Sequence, residues 1–141
     1  MRKLYTTGFI FSVMLLFGCS KDILKSYDKR IVGTWEITDV KNTGLLGSTS
    51  SLTFTDGTFT FYDNGTLTYI NSVHDTLQGS WNIIKKTESD EIVQSLQISA
   101  ASFTTQQVLS AYYDDIDFLG TDYFTASTKT LYTTYVTHYR R

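Results

Sequence analysis

Ser51-Leu52-Thr53-Phe54-Thr55-Asp56-Gly57-Thr58-Phe59-Thr60-Phe61-Tyr62-Asp63-Asn64-Gly65-Thr66-Leu67-Thr68-Tyr69-Ile70 decides the fold class. Apolar and polar residues alternate through it, the period of a strand with one face buried. Asp56-Gly57 and Asn64-Gly65 interrupt the alternation and supply the positive φ values that type I′ hairpins require. The expectation is a three-stranded antiparallel meander over 51–55, 58–62 and 66–70. Leu52, Phe54, Phe59, Phe61, Leu67 and Tyr69 would face inward. The other face is almost all threonine, which tolerates water and suits extended backbone.

The same pattern extends both ways. Upstream, Ile31-Val32-Gly33-Thr34-Trp35-Glu36-Ile37-Thr38 opens a strand over 32–40 with Gly33, Trp35 and Ile37 on one face. A glycine beside a large aromatic lets another backbone come close while the ring covers the gap. Residues 41–48 read as a loop, in which Leu45 and Leu46 plug a cavity mouth or pack on its rim. Downstream, 76–85 carries Gly79, Trp81 and Ile83 in phase, 85–91 is a charged loop, and 92–100 alternates through Ile92, Gln94, Leu96 and Ile98. Residues 101–115 fit either a helical turn near 105–109 or an extended 108–113. Ile116 and Phe118 are in phase, Gly120-Thr121-Asp122 reads as a turn, 123–127 as a strand, and 131–140 as a long last strand carrying Tyr132, Tyr135, Val136 and Tyr139. Eight or nine strands with short connections point to an all-β, antiparallel up-and-down β-barrel, whose closure removes the edges of threonine-rich strands.

A chain of 141 residues suits one domain. Without Arg2 and Lys3 it carries ten basic against fourteen acidic side chains, a net of −4, which argues against nucleic acid as a partner. Arg2 and Lys3 precede an apolar run, 8–17, too short for a permanent span. That run ends in Leu16-Phe17-Gly18-Cys19, which resembles a bacterial lipobox. The resemblance implies a signal peptide over 1–18, lipidation of Cys19 and a membrane anchor, with the outer membrane of the cell envelope as the expected location. Residues 19–30 form the lipidated tether. Within it Ile23, Leu24 and Tyr27 have helical spacing, so it holds either a short helix that closes one end of a barrel or a flexible spacer. Residues 31–141 form the folded domain.

Gly33-Thr34-Trp35 at the first strand, Thr121-Asp122-Tyr123, and an arginine at 140 or 141 ending the last strand together resemble the lipocalin-like (calycin-type) domain lipoproteins of Bacteroidota. The order of these motifs agrees over the whole mature chain. The resemblance implies a barrel floor in which an arginine, assigned to Arg140, packs across Trp35, with Gly33 beside it. Such a cation–π contact stabilises by roughly 0.5–2 kcal/mol. Trp35 is then a closing residue rather than a binding one, and a ligand is expected at the opposite end, past Phe59, Tyr69 and Trp81.

No catalytic constellation is legible. His74 lies in a polar loop beside Asp75, and His138 reads as a hydrogen-bonded wall residue of the last strand. Two distant histidines lack metal-ligand spacing, and Asp114, Asp115 and Asp117 lack the loop pattern of a calcium site. No nucleophile elbow or phosphate loop is present, and no cofactor is expected. The aromatic residues Phe54, Phe59, Phe61, Tyr69, Trp81, Phe118 and Tyr135 are candidates to line a site for a small apolar or amphipathic ligand, unless they fill the interior. The expectation is therefore a non-enzymatic, membrane-anchored binding protein. The alternative is an envelope interaction, inhibitor or accessory module with a filled barrel and binding loops such as Leu45-Leu46 and Tyr112-Tyr113.

Overall fold

A computed structural model describes residues 25–44 and 52–141. Cys19, the expected signal peptide over 1–18 and the Leu45-Leu46 pair lie outside the described residues. A short helix, α1 (Tyr27–Ile31), precedes nine strands: β1 (Gly33–Gly44), β2 (Thr58–Phe61), β3 (Thr66–Ile70), β4 (Thr76–Glu88), β5 (Glu91–Ala101), β6 (Val108–Tyr113), β7 (Asp115–Phe118), β8 (Tyr123–Lys129) and β9 (Thr133–Arg140). They form one antiparallel sheet in the order β6-β5-β4-β3-β2-β1-β9-β8-β7. Chain neighbours pair throughout except β6 with β7, and the last strand returns beside the first, with Glu36 opposite Arg140 and Gly44 opposite Thr133.

The opening stretch is only partly the expected meander. β2 and β3 pair as read, with Phe59 opposite Tyr69 and Phe61 opposite Leu67. Residues 52–55 are not a strand. The edge of β2 they were expected to take is occupied by β1, with Trp35 opposite Phe59. An edge accepts one partner, and twelve-residue β1 brings Trp35 and Ile37 to the core when it pairs there. Gly57 (φ +90°) is still needed, because a Cβ there would sit 2.4 Å from the Ile70 carbonyl. Its own carbonyl accepts from Ile37 N–H at 2.9 Å. At the second turn only Gly65 has positive φ, and its N–H bonds the Tyr62 carbonyl at 3.1 Å. This is a type I turn closed by a left-handed glycine, not type I′. The two consecutive positive φ values of a type I′ turn occur instead at Ser89 (49°) and Asp90 (70°), where the charged loop was expected. That tight turn lets β4 and β5 run as a hairpin through Glu88 opposite Glu91.

Of the two readings of 101–115, the extended one holds, as β6. The paired ladder stops at β6 on one side and β7 on the other, and Asp114 alone separates them. Around it the contacts cross from β5 to β8. The Ser95 hydroxyl donates to the Asp114 carbonyl (2.8 Å), Asp114 N–H to the Ser127 carbonyl (2.7 Å), and Lys129 N–H to the Asp114 carboxylate (2.7 Å). The 52–55 segment lies by β6. The Thr53 hydroxyl donates to the Ser110 carbonyl at 2.9 Å, while Phe54 drops into the core.

All nine strands and α1 send side chains into one core, so the sheet is strongly curled. The Tyr139 hydroxyl of β9 donates to the Tyr113 hydroxyl of β6 across it at 2.9 Å. The core is largely rings. Phe59 stacks on Phe61 and Tyr69 with centroids 5.5 and 4.5 Å apart, Phe54 meets Phe59 and Tyr69 edge-on, and Phe124 lies parallel to Tyr139 at 4.3 Å. Each such pair contributes about 0.5–1.5 kcal/mol beyond its area burial. Four of the candidate lining residues, Phe54, Phe59, Phe61 and Tyr69, are thus packed against one another. Tyr135 is buried on β9.

Candidate functional site

The end of the sheet under α1 holds most of the polar and charged groups that could meet a ligand. Its floor is built on Trp35, wholly buried, whose indole N–H donates to the Ile31 carbonyl at 2.6 Å and so ties α1 down. The expected arginine is present, but it is Arg141. Its guanidinium carbon lies 4.2 Å from the Trp35 ring centre, and Nη2 donates to the carbonyls of Val32 (2.6 Å) and Arg30 (3.0 Å). Alternation along β9 explains why Arg140 is excluded. Tyr135, Thr137 and Tyr139 point in, so Arg140 must point to solvent, whereas Arg141 has left the strand and turns under. Gly33 (φ +129°) makes the room, since a Cβ there would stand 3.1 Å from Arg141 Nη2. The Thr121-Asp122-Tyr123 turn contributes the Asp122 carbonyl, which accepts from Arg141 N–H at 3.0 Å.

A second arginine, from the expected tether, does similar work. Arg30 lies 4.4 Å above the Phe118 ring and donates to the Gly120 carbonyl at 2.8 Å. Tyr27 meets Phe118 edge-on, and Ile31 is fully buried. Residues 27–30 therefore pack on the folded body; Ile23 and Leu24, on which the helix reading of that stretch also rested, lie outside the described residues. Nothing in the sequence singled out Arg30 among the lysines around it.

Two clefts flank α1. The larger, about 450 Å³, opens between α1, the β2–β3 turn and the β4–β5 hairpin. It exists because β4 outruns β3. Ser80 is its last residue paired with β3, yet the strand continues to Glu88. The inner face of the projecting hairpin, Trp81, Ile83 and Gln94, is left to look at Tyr27 and Asp28 of α1 and at Asp63. Trp81 is anchored by its indole N–H to the Tyr62 carbonyl at 3.0 Å and by Phe61 edge-on at 5.8 Å. Gln94 is 8% exposed, and its amide oxygen has no hydrogen-bond partner among the described residues. In the sequence it reads as one more residue of an alternating strand. Burial, followed by the charge of Asp117, raises the Tyr27 phenol above its usual value and keeps it a proton donor. A hydrogen bond from Ser26 holds the Asp28 carboxyl below its usual range.

The smaller cleft, about 150 Å³, lies across α1 and is lined by Lys25, Lys29, Arg30, Val32, Phe118, Thr121 and Arg141. Of the candidate lining residues, then, the structure brings Trp81 to the larger cleft and Phe118 to the smaller, while Phe54 lines a separate cleft of about 180 Å³ beside β6. The two clefts flanking α1 are at the Trp35 end, not the opposite end where a ligand was expected.

The remaining polar candidates lie elsewhere. The Tyr123 hydroxyl bonds His138 Nδ1, making His138 the hydrogen-bonded wall residue expected. His74 occupies a turn with φ 62°. Asp114 spends its carboxylate on Lys129 N–H, and burial raises the Asp115 carboxyl. Among the described residues no group of three or more His, Cys, Asp or Glu is placed to hold a metal ion, and no helix is long and apolar enough to cross a membrane. Comparison of the chain with protein-family models, curated proteins and solved structures finds no match in any of the three.

Proposed function

We propose that this chain is a lipid-anchored protein of the cell envelope, held through Cys19, whose sheet closes as a lipocalin-like barrel and which binds a small amphipathic molecule in the cleft beneath α1. Support for closure comes from the single residue, Asp114, between β6 and β7, and from the contacts that carry the chain from β5 to β8. A strand that changes partner midway joins the two edges without a continuous ladder. The binding reading rests on one observation, the unpartnered amide oxygen of buried Gln94 on the wall of a 450 Å³ cleft. An unsatisfied buried polar atom costs about 1–3 kcal/mol, which a ligand donor would recover. The volume falls in the range of small-molecule sites, roughly 300–1,000 Å³. Trp81, Ile83 and Tyr27 offer apolar surface, while Asp28, Asp63 and Lys85 make the rim charged. That combination suits an amphipathic molecule better than a purely apolar one.

Native mass spectrometry of the form beginning at Ser20, purified from its own envelope extract, tests this. A bound small molecule lost in Gln94→Leu is the expected result, and a bare chain with no thermal shift on adding extract refutes it. Fractionation tests the anchor separately, because Cys19→Ala should release the chain from membranes.

A second reading, a protein-interaction module, is favoured by the opposite end. The core there is filled by rings, and Phe103 (86% exposed), Leu131 (92%), Val73 and Tyr132 project from the connecting loops. A photo-crosslinker at Phe103 that captures one envelope protein in living cells would establish this reading, and silence there would remove it.

A further inference from the structure

We infer that the smaller cleft beside α1 is a binding site for a phosphate-class anion, formed by Lys25, Lys29, Arg30 and Arg141. It is separate from the larger cleft, and the inference does not rest on the ligand reading given above. Among the described residues, four cationic side chains line this cleft and no carboxylate side chain does. The chain as a whole carries more acidic than basic groups, so the concentration of positive charge is local and runs against the composition. Such a concentration raises the local potential for an anion.

Geometry adds to charge. The two guanidinium groups are held before any ligand arrives, Arg30 on the Phe118 ring and the Gly120 carbonyl, Arg141 on the Trp35 ring and the carbonyls of Val32 and Arg30. In both, the hydrogen bonds to these carbonyls run through Nη2, and among the described residues none is seen from Nε or Nη1, the other donors of each fork. Planar guanidinium forks match the oxygens of phosphate, and prior immobilisation removes much of the entropy cost of binding. Lys25 and Lys29 add two ammonium charges to the lining, and the Thr121 side of the cleft is polar. A volume near 150 Å³ admits a phosphoryl group and little more. The walls Val32 and Phe118 limit water on one side.

Such a group could arrive as a free phosphate or as the headgroup of an anionic lipid. Lys25 lies six residues after Cys19, so an anchored chain would hold this end near the bilayer surface. The test uses the form beginning at Ser20, whose core residues all lie between Ile31 and Tyr139. Inorganic phosphate is titrated while the backbone and guanidinium resonances of residues 25–33, 118–122 and 141 are followed by NMR. Flotation is measured with neutral phosphatidylcholine vesicles and with vesicles containing phosphatidylglycerol. Saturable shifts confined to those residues, weakened at least tenfold in the double variant Lys25→Gln/Lys29→Gln, support the site. Phosphate saturation without flotation assigns it to a free phosphate. Flotation only with the anionic vesicles, competed by phosphate, assigns it to a lipid headgroup. The two lysines are exposed, so the variant keeps its fold, which its unfolding midpoint verifies. Absence of saturable shifts in the unaltered chain, or equal shifts in the double variant, overturns the inference.

Discussion

Removing one hydroxyl from the interior tests how the sheet curls. Tyr139 of β9 and Tyr113 of β6 are six positions apart in strand order, yet their hydroxyls are 2.9 Å apart. Tyr139 is fully buried and Tyr113 is 3% exposed, so neither hydroxyl has water to fall back on. Tyr113→Phe takes away the acceptor and strands the Tyr139 donor. An unsatisfied buried donor costs about 1–3 kcal/mol, so a loss of about 2 kcal/mol is expected. Tyr139→Phe is milder, about 1 kcal/mol, because the Tyr113 hydroxyl still has the Thr137 side chain. The double variant removes both phenol hydroxyls and leaves only the Thr137 hydroxyl to re-pair, so it should cost about 2 kcal/mol, less than the sum, with a coupling near 1 kcal/mol. Urea unfolding monitored by tryptophan fluorescence measures all four chains. At roughly 4 °C per kcal/mol for a domain of this size, Tyr113→Phe should also melt about 8 °C lower. Two single effects that simply add would show that the hydroxyls do not meet, and that β6 and β9 do not face each other across one core.

Other expectations concern the floor, the hairpin and pH. Arg141→Gln should destabilise by about 1–3 kcal/mol through lost stacking and charged hydrogen bonds, while Arg140→Gln stays within about 0.5 kcal/mol, both read by chemical denaturation. Equal effects would return the role to Arg140. Gly79→Ala would place a Cβ 1.8 Å from the Ser99 carbonyl, and should cost about 3 kcal/mol or more because backbone cannot yield cheaply. Its soluble yield and melting temperature check this. Tyr69, Tyr113 and Tyr139 all hold their protons more tightly when folded, chiefly through burial. Their contribution is complete below about pH 10, where unfolded phenols ionise, and is lost as pH rises toward the folded values. The phenolate absorbance of these three should therefore appear together with loss of structure in an alkaline titration, and early ionisation without unfolding would contradict their burial.

The sequence by itself determined the class of fold and the faces of its strands. Alternation is local, and it correctly put Phe59, Phe61, Leu67 and Tyr69 inside and the threonines outside, because side-chain direction depends only on the chain's own pleat. It also put a glycine, a tryptophan and a terminal arginine at what became one floor, although it assigned the arginine to Arg140 and passed over Gln94 as one more residue of an alternating strand. Which strand pairs with which edge is not local, and the tertiary structure decided it. Residues 52–55 alternate as well as β2 does, yet β1 holds the edge, since only one strand can satisfy that row of backbone groups. The choice of Arg141 over Arg140 turned on where β9 ends, a single-residue matter with opposite outcomes on a pleat. The two clefts were beyond sequence reading for the same reason. They arise from unequal strand lengths, β4 outrunning β3, and from a helix that bridges them, and neither leaves a periodic trace in the chain.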